Sequence, residues 1–131
     1  MLFDTHLHLI YPNKIGYPWL SEVPTLNKPY KYEQYEIVAN RLGIDACFHM
    51  EVDVSEGDIK NETAMLESLS NQPGSKIKGI ISACRPEQQG FDDFLNWASQ
   101  NTLIKGFRRV LHVVSDDVSQ NPLFRKNINL L

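Results

Sequence analysis

The sequence predicts an α/β fold of four successive strand–helix units with parallel strands. Three observations carry that prediction. Short apolar runs alternate four times with segments whose apolar residues recur at helical spacing. The connections between them suit right-handed crossovers. Histidines and charged residues gather toward the ends of the predicted strands, while the rest of each strand is apolar.

The first strand is Phe3-Asp4-Thr5-His6-Leu7-His8-Leu9. Side chains alternate along a strand, so Asp4, His6 and His8 share one face and Phe3, Thr5, Leu7 and Leu9 the other. Two imidazoles two residues apart can each turn a nitrogen toward one divalent cation at about 2.0–2.2 Å. Asp4 is placed to orient a histidine from behind. His-x-His spacing alone is not specific, but burying three such groups without partners is costly. They are expected to face a site, with His6 and His8 as metal ligands.

Residues 10–30 hold Pro12, Pro18, Pro24 and Pro29, which predicts a long ordered loop. Tyr32, Tyr35, Val38, Ala39 and Leu42 then recur at helical spacing, and Gly43 stops that helix. A second strand covers 44–52. Its Ile44, Ala46, Phe48, Met50 and Val52 are expected to pack on helices, leaving Cys47, His49, Glu51 and Asp53 on the opposite face. Ser55 is a candidate cap for a helix running to Ser70, buried through Ile59, Thr63, Leu66 and Leu69. Pro73-Gly74 turns the chain into a third strand, Lys76 to Cys84, with isoleucines on both phases. Residues 87–100 form a third helix with Phe91, Phe94, Leu95 and Ala98 inward. A fourth strand from Leu103 to Val114 places Phe107, Leu111 and Val113 outward and Gly106, Arg108 and His112 inward. Ser119 or Asn121 opens a fourth helix.

Composition narrows the function. With 131 residues the chain is one domain, 1–131, large enough for a real core. The net charge is −3 and the basic residues are scattered, so no nucleic-acid footprint is present. No apolar stretch is long enough for a membrane span, and the N-terminus lacks the pattern of a signal peptide. Cys47 and Cys84 lack Cys-x-x-Cys spacing and read as core thiols in a reducing compartment. A cytoplasmic protein acting on a small molecule is the expectation.

The inward-facing residues supply the remaining candidates. A buried guanidinium needs an anion, so Arg108 is expected to bind a substrate carboxylate or an Asp/Glu, and Arg109 to solvate or pair with a helix. Glu51 and His112 are candidates for catalysis beside Arg108, and His49 for substrate binding. The structural alternatives are a buried His49–Glu51 pair and a solvent-facing His112.

Asp4-Thr5-His6-Leu7-His8, Tyr17-Pro18-Trp19-Leu20 and Lys105-Gly106-Phe107-Arg108-Arg109 together resemble the amidohydrolase superfamily. Within it they are most similar to the branch of metal-dependent hydrolases that includes sugar-lactone hydrolases such as fuconolactonase, and dicarboxylate lactonases. The likeness runs over essentially all 131 residues. It implies a (β/α)₈ barrel of the TIM type. A full barrel takes about 250 residues, so the chain corresponds to an N-terminal half-barrel of about four βα units. The resemblance further implies a divalent metal, zinc or manganese, at His6 and His8, and water activated for attack on a lactone or ester carbonyl. Arg108 would hold substrate carboxylate or hydroxyls and Trp19 would line the pocket mouth. Some members of that branch work without a metal.

The remaining ligands and the general base of that superfamily come from later strands that this chain does not match. A truncated half-barrel, inactive by itself, is therefore expected. Nucleases of the TatD type would place Gly-x-His-Pro after the third strand, where this chain has Ala83-Cys84-Arg85-Pro86. Decarboxylases of the superfamily share the features present here. A non-catalytic alternative is a half-barrel that pairs with a second copy through its open edges, as a homodimer.

Overall fold

A computed structural model describes all 131 residues. Four strands, β1 (Leu2–Leu7), β2 (Ile44–Met50), β3 (Ile77–Ala83) and β4 (Ile104–Arg108), form one parallel sheet in the order β1-β2-β3-β4. Helices α1 (Tyr32–Leu42), α2 (Ile59–Ser70) and α3 (Phe91–Ala98) link successive strands. The chain ends in two short helices, α4 (Asp117–Gln120) and α5 (Pro122–Ile128). The order through β4 is the one expected from the sequence, and the single fourth helix expected there is two short ones.

Local chemistry sets the boundaries. Gln34 Oε1 accepts from the Lys31 backbone N–H at the start of α1, and Gly43 ends it in the left-handed conformation at φ 71°. Asn121 caps α5 by accepting from Leu123 N–H at 2.8 Å, ahead of Pro122 at the first helical position. Ser55 does not cap α2. Its hydroxyl donates to Gly16 O, and a 3₁₀ turn at Glu56–Asp58 leads into the helix instead.

The principal core lies between the sheet and its helices. Leu7, Leu9, Cys47 and Ile80 from the strands meet Tyr35 and Ala39 of α1 and Leu66 and Leu69 of α2. Cys47 therefore faces the helices, against the alternation expected for the second strand, although Ile44 packs on that side as expected and a register shift follows at Cys47/Phe48. Phe48 lies on the opposite, open face, where its ring meets that of Phe3 edge-on at 4.9 Å. Gly79 leaves room for it, since a Cβ there would stand 2.6 Å from Phe48 Cε1. In β1 the pairing register shifts between Asp4 and Leu7, which puts Phe3 on the open face yet Leu7 and Leu9 in the core.

Residues 10–30 form an ordered loop containing a 3₁₀ turn at Pro18–Glu22 and a bridge between Ile10 and Tyr30. Tyrosine hydroxyls fasten it: Tyr17 accepts from Tyr11 N–H, and Tyr11 accepts from Tyr32 N–H. A second apolar cluster, including Ile15, Leu20, Val52, Val54 and Ile59, seats the loop over the C-terminal end of the sheet. The fourth strand is shorter than expected. Its ladder ends where Cys84 N–H donates to Arg108 O, because β3 stops at Ala83. Residues beyond Arg108 turn away, leaving Leu111 and Val113 exposed. No helix is long and apolar enough to cross a membrane.

Candidate active site

A cleft of about 500 Å³ opens at the C-terminal end of the strands. His8 just after β1, Asp53 three residues past β2 and Arg108 at the end of β4 supply its polar wall, joined by Trp19, Lys28 and Tyr30 from the long loop and by His112 beyond β4. Four sequence candidates, His8, Trp19, Arg108 and His112, thus come together.

His6 and His8 converge. Their Nε2 atoms stand 3.1 Å apart at the end of β1. A carbonyl can only accept, so the 2.9 Å contact of His8 Nδ1 with Met50 O fixes the proton on Nδ1 and leaves Nε2 unprotonated, an acceptor that takes a hydrogen bond from His6 Nε2 here and that a cation would use once His6 carries its proton on Nδ1. Burial lowers the His8 pKa further, which favours the neutral ring a metal needs. Two nitrogens bound tetrahedrally at 2.0–2.1 Å stand about 3.3 Å apart. The histidine pair therefore fits two positions around one divalent cation. No group of three or more His, Cys, Asp or Glu side chains is arranged to complete such a site. Asp4 supports the pair through the backbone, accepting from His6 N–H at 3.0 Å, rather than through an imidazole.

His49 and Glu51 do not bond each other, and both lie beneath the cleft, 0% and 1% exposed. His49 Nε2 accepts from Leu9 N–H at 3.2 Å, which places the proton on Nδ1, a buried atom without a partner. Burial, with His8 and Arg108 nearby, depresses its pKa to about 3, so it is a neutral strut. Glu51 Oε1 accepts from Arg108 Nε and Glu51 O from Arg108 Nη2, while Oε2 accepts from Asp53 N–H. The Arg108 partner is therefore an acid of the chain itself. Arg109 pairs with Glu87 of the loop before α3, at 2.6 Å, and not with a helix.

Lys28 and Tyr30 escaped sequence reasoning, and Asp53 was placed on the inward face without being singled out. Asp53 is the one non-glycine residue with positive φ, at 47°, a conformation Asp tolerates better than most residues. Lys28 and Tyr30 enter through the Ile10–Tyr30 bridge, a pairing that no local pattern encodes. Trp19 is fixed by its indole N–H, which donates to Val52 O at 2.8 Å.

No protein-family model matches the chain, and no curated protein matches its sequence. Solved structures do match. An amidohydrolase from Burkholderia multivorans, whose crystal structure contains bound zinc, superposes with a TM-score of 0.77 at 18% identity, over 100% of this chain and 45% of that one. The fold matches half of the barrel of that structure. Amidohydrolase 2 from Bifidobacterium longum subsp. infantis superposes with a TM-score of 0.64 at 19% identity, over 98% of this chain and 46% of that one. The half-barrel thus spans less than half the length of either structure.

Proposed function

We propose that this half-barrel carries the metal-binding and substrate-orienting part of a hydrolase that opens a small carboxylated lactone or ester with activated water. The observation that carries the reading is the convergence of the His6 and His8 Nε2 atoms beside a cleft lined by Arg108. A divalent cation held there would polarise the carbonyl and activate the water. The chain's own groups bind and orient. Met50 O holds His8 in the ligating tautomer. Lys28 makes the cleft attractive to an anionic substrate, Arg108, its charge balanced by Glu51, offers it N–H donors, and Trp19 with Tyr30 covers the ring's apolar surface. The zinc bound by the Burkholderia structure supports the metal reading.

Zinc titration of the half-barrel by calorimetry, with a screen of lactones on a form that completes the barrel, tests this function. In the His6→Ala/His8→Ala double variant, zinc affinity should fall by about 100-fold or more, lactone hydrolysis should disappear, and the circular dichroism spectrum should be unchanged. Unchanged turnover would remove both histidines from the mechanism. Release of carbon dioxide instead of ring opening would replace hydrolysis with decarboxylation.

A further inference from the structure

A guanidinium has two edges that can each form a pair of hydrogen bonds. In Arg108 the inner edge is taken: Nε donates to Glu51 Oε1 at 2.5 Å and Nη2 to Glu51 O at 2.7 Å. Glu51 is in turn held by Asp53 N–H, which donates to Oε2 at 2.7 Å. The carboxylate is 1% exposed and the arginine side chain 32%. The outer edge, Nη1 with the second N–H of Nη2, points away from Glu51 on a side chain that lines the cleft. The cleft's own acid does not fill it, because Asp53 pairs with Arg85 at 3.6 Å.

We propose that Glu51 is a positioning residue, which pins Arg108 by its inner edge and so presents the outer edge to the cleft as a preformed receptor for a single carboxylate. Glu51 acts through Arg108 and does not touch the substrate. Pinning removes the rotamer freedom that a free arginine would lose on binding, and the neutralised pair makes burial of the guanidinium tolerable. A lysine at 108 could not reproduce this arrangement, since an ammonium has no second edge. The inference rests on the anion-binding role given to Arg108 above.

The test uses ¹⁵N-labelled protein, with the Arg108 guanidinium signals assigned by their loss in Arg108→Lys. In the unaltered chain, pinning should give resolved Nη signals from a guanidinium that rotates slowly. These signals should shift on titration with cyclopentanecarboxylate, a carboxylate that cannot be hydrolysed. Glu51→Gln should average the signals and weaken cyclopentanecarboxylate binding about tenfold. Added to Arg108→Lys, it should cost nothing further. Averaged Nη signals in the unaltered protein, which need no variant to fold, would overturn the proposal. So would unchanged carboxylate affinity in Glu51→Gln. For turnover, 5-oxotetrahydrofuran-3-carboxylate is compared with its methyl ester, and the Glu51→Gln loss should fall on KM for the acid rather than on kcat. Coupled carboxylate binding without turnover in a form that completes the barrel would sink the hydrolase reading and leave the positioning role standing. Turnover without preference for the acid would do the reverse.

Discussion

Glu62 on α2 is a carboxyl group that folding holds in its neutral form. It is 2% exposed, and its Oε1 has no hydrogen-bond partner. Burial, reinforced by the nearby Glu51 carboxylate, pushes its pKa up to about 8, against smaller opposing effects of the Val52 backbone and Arg108. A carboxyl group raised on folding from an unfolded value near 4.5 contributes stability that is fully present below 4.5. That contribution is lost as the pH rises through 8. His49 has the opposite sign, depressed from 6.5 to about 3, so its contribution is complete above 6.5 and adds no slope there. Between pH 6.5 and 8 the protein should therefore lose on the order of 2 kcal/mol of stability through Glu62. Urea titrations at the two pH values measure the loss, and Glu62→Gln should abolish it. An equal slope in the variant would assign the loss to another group.

Among the elements, α1 and the cap of α5 were legible in the sequence because Gly43 and Asn121 act within one turn of themselves. The sides taken by Cys47 and Phe48 in β2 were not. Ala46, Phe48 and Met50 are as apolar as a helix-facing set would be, and a parallel strand that is apolar on both phases carries no alternation to mark its faces. Arg108 stood out as a charge in an apolar strand, but Glu51, its partner, lies 57 residues away and only the folded sheet joins them. Strands come close at Gly79, where a Cβ would meet Phe48 Cδ1 at 2.8 Å as well as Cε1, and Lys105 Cγ at 2.6 Å. The lysine can swing away, whereas the Phe48 ring is already held against Phe3. Gly79→Ala should destabilise the protein by about 1–3 kcal/mol, with an unchanged dependence on urea concentration. Unaltered stability would mean that Phe48 moves freely.

At the scale of the whole molecule, β1 and β4 are terminal strands, each with one unpaired edge. Leu2 and Phe3 on β1 are 52% and 36% exposed. Parallel edges of this kind invite another strand. The 131-residue polypeptide should therefore associate at micromolar concentration, and Phe3→Lys should shift it toward monomer. Size-exclusion chromatography with light scattering reads both, and a monomer at every concentration would show that the edges are protected. The strand order has another consequence. Each strand pairs with the one synthesised just before it, so the longest wait between pairing partners is one loop and one helix. The sheet can be laid down in the order in which a ribosome releases it, each new strand docking on a template already in place.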